Sequence, residues 1–194
     1  KVKLNVGVSY QSGINSRSRL GYYNAPNPDP TYYRYLPSFY VNSSIGANFV
    51  SANTAKKGLL ANPQLNWNQI YTANNRSKAA YVMYDDVVKD NMLSVNMISN
   101  FIINHSFKAD IGFAYRKMNS ENYAKINDLL GSEFHDDIDS FSETLNDLNG
   151  AIQKKENDVF NYNYNLDTQQ IETFVQFKYD KKSWNTFIAA NYST

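Results

Sequence analysis

The first ten residues, KVKLNVGVSY, alternate without a break. Val2, Leu4, Val6, Val8 and Tyr10 fall on one side, and Lys1, Lys3, Asn5, Gly7 and Ser9 on the other. A period of two is the mark of a strand with one apolar face. The pattern returns in pairs. Leu93, Val95, Met97 and Phe101 share a face, and after the short turn Asn104-His105-Ser106-Phe107 so do Ala109, Ile111, Phe113 and Tyr115. Ile171, Thr173, Val175, Phe177 and Tyr179 form another such row, and the turn Asp180-Lys181-Lys182-Ser183 leads to Trp184, Thr186, Ile188, Ala190 and Tyr192. The reading is a leading strand and two hairpins, near 1–12, 91–103, 108–117, 168–179 and 184–194.

The connections are asymmetric. Two are short turns, and two are long, near 13–89 and 118–167. If the strands run up and down, both turns lie at one end and both long loops at the other. Short turns on one rim and long loops on the other characterise outer-membrane barrels, whereas soluble sandwiches have modest connections at both ends. Under this topology Tyr10, Tyr115 and Tyr192 end their strands at the long-loop rim, and Phe101, Tyr179 and Trp184 lie at the short-turn rim. Two aromatic girdles around an apolar band are expected of a lipid-facing wall. The opposite face would line a wet lumen with Lys108, Asp110, Arg116, Glu172, Gln176 and Lys178. A soluble sheet with one solvated face gives the same alternation, and this alternative stays open. Five strands cannot close a barrel, so the remaining wall is expected outside residues 1–194, which form part of a single barrel domain. The chain begins mid-strand, as an internal segment would.

Composition supports strands joined by polar loops. There are 27 Asn, 16 Tyr and 11 Phe, which suit strands and turns better than helices. No Cys is present, so disulfides, zinc-thiolate sites and thiol nucleophiles are excluded. No run of about 18 apolar residues offers a transmembrane helix. The net charge of +1 gives no global attraction to nucleic acid. It conceals ten Lys/Arg against three Asp in residues 1–89, and ten Asp/Glu against three Lys in 118–158.

The long loops are too aromatic to be idle. Residues 21–40, GYYNAPNPDPTYYRYLPSFY, hold four of the five prolines and seven aromatic residues. Proline favours polyproline II or turns here. Tyr22, Tyr23, Tyr32, Tyr33 and Tyr35, with Trp67 and Tyr71, are candidate ligand contacts, by stacking on sugar rings or gripping a peptide. The alternative is that these rings only pack the loop. Three short amphipathic helices are expected: one from Asn62-Pro63 through Tyr71, one over NSENYAKINDLLG, and one over DDIDSFSETLNDLNG with Ile138, Phe141, Leu145 and Leu148 on a face.

YYNAPNPDPTYYRYLPSFY, NWNQIYTANN, NYAKINDLLGSEF, DDIDSF and FNYNYNL together resemble the barrel of TonB-dependent outer-membrane receptors. The resemblance is to the long-loop Bacteroidota branch that often carries a carboxypeptidase-like regulatory domain, and it covers nearly the whole chain. It implies a 22-stranded barrel with a plugged lumen in the cell outer membrane. It implies as partners outer-membrane lipid, the plug and remaining strands, the inner-membrane TonB complex acting through the plug, and in some cases a surface lipoprotein. The implied function is uptake of an oligosaccharide, a peptide or a chelated metal. A receptor-like barrel serving as a subunit of an envelope or secretion complex is the alternative within the family. A secreted β-rich binding module is the alternative outside it.

No phosphate loop, nucleophile elbow or paired-carboxylate motif is present, and neither His105 nor His135 has a Ser or Cys partner in a known motif. No catalysis and no cofactor are expected. Glu133, Asp136, Asp137 and Asp139 could offer oxygen ligands to a hard cation, but the spacing is not that of an EF-hand. Asp136 or Asp137 reads equally as a helix N-cap, and no metal is expected.

Overall fold

A computed structural model describes residues 1–139 and 141–194. Five long strands form one antiparallel meander: β1 (Val2–Tyr22), β2 (Tyr81–Ile102), β3 (Phe107–Asp128), β8 (Val159–Lys181) and β9 (Trp184–Ser193). Their order in the sheet is their order along the chain, with β1 and β9 at the edges. Between β1 and β2 lie a 3-10 turn (Tyr33–Tyr35) and helices α1 (Pro37–Val41), α2 (Phe49–Ala61) and α3 (Trp67–Ala73). Between β3 and β8 lie two small ladders. In one β4 (His135–Asp136) pairs with β7 (Gln153–Lys154), and in the other β5 (Ile138–Asp139) pairs with β6 (Thr144–Leu145).

The chain divides into two compact units. The first comprises Lys1–Ser16, Val87–Tyr123 and Asn163–Thr194. Its apolar face is bare: Val2, Leu4, Val6, Val8 and Tyr10 are 61, 57, 59, 68 and 68% exposed. On β9 Trp184, Ile188 and Tyr192 are 75, 71 and 65% exposed. The register Thr173↔Tyr192, Val175↔Ala190, Phe177↔Ile188 puts the apolar rows of β8 and β9 on one side of the sheet. The hairpin turns are fixed locally. The Asn104 side-chain oxygen accepts from the Ser106 and Phe107 amides at 2.9 and 2.8 Å, and Lys182 adopts the positive φ that a tight turn demands.

The second unit comprises Arg17–Asp86 and Ala124–Tyr162 and has a true core. Ala79, Val82, Ala124, Ile126, Leu129 and Phe160 bury one another, with Tyr84 and Tyr162 packed alongside. Ile70, Tyr81 and Leu130 form a second cluster. Asn74, fully buried, ties the unit together. Its amide nitrogen donates to the carbonyls of Tyr81 and Leu129 at 2.6 and 2.9 Å, and its oxygen accepts from the Ala80 and Tyr81 amides at 3.0 and 2.9 Å. The Ser132 hydroxyl donates to the Asn74 carbonyl at 2.7 Å.

Several expectations are corrected. The strands run far past their expected ends: β1 through Tyr22 rather than 12, β2 from Tyr81 rather than 91, β3 to Asp128 rather than 117, and β8 from Val159 rather than 168. The irregular connections shrink accordingly, and Tyr10 and Tyr115 fall within strands instead of ending them. The helix expected over NSENYAKINDLLG is strand. Tyr123, Ile126 and Leu130 match a helical period, but Ser120, Asn122, Ala124 and Ile126 are buried at a period of two. Pairing decides where local propensity is weak. The helix expected over DDIDSFSETLNDLNG is absent among the described residues, Ser140 lying outside them. Asp139 instead accepts from the Phe141 amide at 2.8 Å, and Asn146 from the Leu148 amide at 3.1 Å. Such side-chain bonds stabilise turns at the helix's expense. Ile138 pairs with Leu145, while Phe141 and Leu148 point outward, 98 and 88% exposed. The helix expected from Asn62 begins later, capped by Asn66, whose oxygen accepts from the Gln69 amide at 3.1 Å.

Candidate functional site

The proline-rich segment is pinned by short-range bonds. Asn27 accepts from the Asp29 amide at 2.9 Å, and Asp29 accepts from the amide and hydroxyl of Thr31 at 2.8 and 2.7 Å. These two bonds to Thr31 hold the Asp29 carboxyl below its usual range. The Tyr81 hydroxyl donates to the Pro26 carbonyl at 2.8 Å, fastening the segment to the start of β2. Pro37 then occupies the first turn of α1, where its missing amide hydrogen costs nothing. Helix α1 packs on α2.

The seven candidate aromatic residues do not form one site. Tyr32 meets Tyr33 and Tyr35 edge to face at 4.8 and 5.3 Å between ring centres. Tyr33 continues this chain to Phe39 at 5.8 Å. The Arg34 guanidinium donates to the Tyr33 hydroxyl at 2.9 Å and lowers its pKa. Tyr22 instead leans on Tyr81 at 6.5 Å, and the Lys78 ammonium lies over the Tyr23 ring at 5.9 Å. Trp67 and Tyr71 pair with each other on α3 at 6.5 Å. Tyr22 and Tyr23 line a small cavity of about 160 Å³ beside His135 and Phe160, whereas Tyr35 lines a larger cleft.

That cleft consists of two cavities of about 450 and 290 Å³ that share Pro30, Tyr35 and Asn62. The larger is completed by Tyr40 and by residues of α2, including Ser51, Thr54 and Gly58. The smaller is completed by Asn27, Gln64, Asn66, Gln69 and Tyr81. Sequence reasoning missed the amides. NPQLNWNQ announces them, but they were absorbed into a helix expectation.

The six charged or polar residues assigned to the lumen behave as neighbours across strands. Lys178 pairs with Asp110 and Lys108 with Asp180, each at 3.4 Å. Asn100 donates to Asp110 at 2.7 Å, and Arg116 to Gln170 at 3.4 Å. Gln170 in turn donates to Glu172 at 2.6 Å, and Gln176 stands opposite Ala189. Phe174 interrupts this polar row, its ring lying over Gly112, where an added Cβ would come within 1.8 Å of it. Of the aromatic girdle residues, Tyr10 donates to Asn91 at 3.1 Å, and Tyr179 packs on Phe107 at 4.6 Å. Phe107 is thus a further ring at the turn end.

The acidic loop uses its carboxylates internally. Asp136 pairs with Lys78 at 2.7 Å, and buried Asp137 accepts from the Asn161 amide at 2.9 Å. Neither caps a helix. Asp139 caps a turn, and its bond from the Phe141 amide lowers its pKa. Among the described residues no three His, Asp or Glu side chains gather as metal ligands. His105 lies in the first hairpin turn and is exposed, whereas His135 is buried edge-on against Phe160 at 5.7 Å.

No family model, no curated protein and no solved structure matches this chain.

Proposed function

We propose that residues 1–194 form part of the wall and the external loops of an outer-membrane β-barrel of the TonB-dependent receptor type, which takes up a nutrient and performs no catalysis. The observation that carries this reading is the bare apolar face of β1 and β9. Val2, Leu4, Val6, Val8, Tyr10, Trp184, Ile188 and Tyr192 there are more than half exposed, while the opposite face of the sheet carries ion pairs between β3 and β8. In water such a face would be covered by a second layer, since exposed apolar patches of this extent drive association. Lipid outside and a wet lumen inside satisfy both faces at once. Strand length agrees. About 9–11 residues cross a bilayer at a tilt near 45°, and β1, β2, β3 and β8 have 21, 22, 22 and 23. Each can cross and continue beyond the headgroups.

Edge strands β1 and β9, left open, would template aggregation, so further strands are expected to pair with both. Residues Lys108, Asp110, Arg116, Glu172, Gln176 and Lys178 then face the lumen and the plug, and Tyr10, Tyr115 and Tyr192 mark one interface, with Phe101, Tyr179 and Trp184 at the other. No helix among the described residues is long and apolar enough to cross a membrane. The crossing elements of this reading are strands.

The test is to produce the 194-residue chain alone and to fractionate cells carrying the intact protein. The chain alone is expected to be insoluble without detergent, and the intact protein to sit in outer membranes and migrate anomalously on gels until heated. A soluble, monodisperse, cooperatively melting 194-residue monomer overturns the reading. If the barrel is instead a subunit of an envelope complex, stable co-purification with secretion or motility machinery will show it.

A further inference from the structure

We propose that the small cavity enclosed by the end of β1, the start of β2, the β4 segment and the start of β8 binds a small organic ammonium ion that carries an N–H group. The site lies wholly within the unit that has a core, so it stands apart from the question of what the bare sheet face meets. Its walls are aromatic. Tyr22 and Tyr23 at the end of β1, Tyr84 on β2 and Phe160 on β8 line about 160 Å³. Tyr84 and His135 each meet the Phe160 ring edge to face, at 5.5 and 5.7 Å between ring centres. Rings set at right angles in this way form the sides of a box, and the faces of aromatic rings attract cations. The chain already uses one of them so: the Lys78 ammonium lies 5.9 Å over the Tyr23 ring.

The buried polar atoms left over here are acceptors. His135 lines the cavity and is only 7% exposed, yet its Nδ1 has no hydrogen-bond partner among the described residues. Its bond with the Ala79 backbone therefore uses the other ring nitrogen, and because that bond favours the protonated form, the partner is an accepting carbonyl. Nε2 thus carries the hydrogen. Burial holds the ring neutral, so Nδ1 presents a lone pair. Asp137 lies two residues on in the same extended segment and hence on the same side. Its Oδ1 accepts at 2.9 Å from the amide of Asn161, another residue of the cavity wall. Its Oδ2 has no partner, and this fully buried carboxylate makes no ion pair among the described residues. Lys154, opposite His135 in the β4–β7 ladder, donates to the Asn149 carbonyl at 2.8 Å instead. Two buried acceptors without a donor, one of them charged, are costly. An N–H cation supplies the donor, the counter-charge and the partner for the rings together. An anion would be repelled by Asp137, and a neutral ligand leaves that carboxylate uncompensated. The volume is below the roughly 300 Å³ at which sites for drug-sized ligands begin, so the cavity suits a ring of about six atoms or the head of a longer amine.

Ring-shaped probes of matched size test this. The intact protein, purified in detergent at constant ionic strength, is titrated with pyrrolidinium and piperidinium chlorides, and binding is followed by saturation-transfer NMR. Tetrahydropyran serves as the neutral match, and N,N-dimethylpiperidinium as the cation without an N–H. At least one of the two N–H cations is expected to bind saturably, about tenfold more tightly than either control. His135→Leu removes the acceptor and is expected to weaken binding about tenfold. Tyr22→Leu removes a ring that is 43% exposed, so the fold should survive it, and is expected to weaken binding several-fold. If His135→Leu does not fold, Tyr22→Leu and the comparison of ligands decide. Failure of both N–H cations to bind overturns the proposal and leaves water as the partner of His135. So does equal binding of tetrahydropyran or of N,N-dimethylpiperidinium, or binding that Tyr22→Leu leaves intact.

Discussion

The two compact units handle apolar side chains in opposite ways. In the unit of Arg17–Asp86 and Ala124–Tyr162, apolar groups turn inward: Ile70, Val82, Ala124, Ile126, Leu130 and Phe160 are all buried. In the unit of Lys1–Ser16, Val87–Tyr123 and Asn163–Thr194, only Val87 and Ala109 are buried apolar residues among those described. Its larger side chains stand on the surface of a single sheet. One unit carries its own core, as a body designed for water must. The other has an apolar face that only a second layer or an apolar solvent can satisfy. Strands β1, β2, β3 and β8 each contribute residues to both units, so the difference lies in side-chain pattern rather than in backbone.

Breaking Asn74 should produce the largest effect, and only in the unit that has a core. Asn74→Ala leaves two amides and two carbonyls without their partner, at a cost of about 4 kcal/mol. Hydrogen exchange on the intact protein should show lost protection around residues 74–82 and 129–132, with the hairpin at 102–107 unaffected. Equal loss everywhere would mean the units are not separable.

A charge on the bare face should come next. Val8→Arg is expected to destabilise the bilayer-inserted protein by about 2–4 kcal/mol, whereas Ser9→Arg, on the other face, should be nearly silent. Urea unfolding in liposomes measures both. Similar behaviour of the two variants would remove the distinction between the faces.

Gly112→Ala probes the polar face. Its new methyl group would collide with the Phe174 ring, and overpacking of this kind costs about 1–3 kcal/mol. The companion change Phe174→Ala should rescue much of that loss if the ring is the obstacle.

The smallest effect concerns pH. Burial lowers the His135 pKa from its usual 6.5, opposed by a bond with the Ala79 backbone and by Asp136 and Asp137, and assisted by Lys78. The unfolded chain then takes up a proton that the folded chain refuses. Stability is present above pH 6.5 and is lost as pH falls from there toward the folded value. The unit with the core should show lower protection at pH 5.5 than at 7.5, and His135→Gln should flatten that dependence. Asp29 and Asp139, also lowered, contribute in the same direction but only near and below pH 4.

Much of the sheet was legible because alternation is a local signal. Val2 through Tyr10 needed only a period of two, and the partner rows in β8 and β9 fell into register as their parity required. The strand extensions were not legible. Arg19, Asp85 and Asp86 carry no alternation, yet they are held across strands: Ser18 donates to Asp85 at 2.6 Å, and Arg19 and the Tyr162 hydroxyl both engage Asp86. Such pairs are visible only once register is known. The two failed helices have different causes. Cross-strand pairing claims residues 119–128, and in the acidic loop Asp139 and Asn146 spend their side chains on nearby backbone; a periodicity count sees neither. The cleft was half legible. Its aromatic rings announced themselves, but its amides lie in an Asn- and Gln-rich run whose role depends on how α2 and α3 are placed.

The central claim is that the bare face of the sheet meets lipid. Residues 1–194 hold no cysteine, so each cysteine introduced there is the single labelling site of this segment. Nitroxide labels placed one at a time at positions 2–11 of the intact protein in outer-membrane vesicles should alternate. Even positions should be accessible to oxygen and shielded from a water-soluble nickel chelate, and odd positions the reverse. Even positions that the chelate reaches freely, or that neither reagent reaches because protein covers them, would contradict the account.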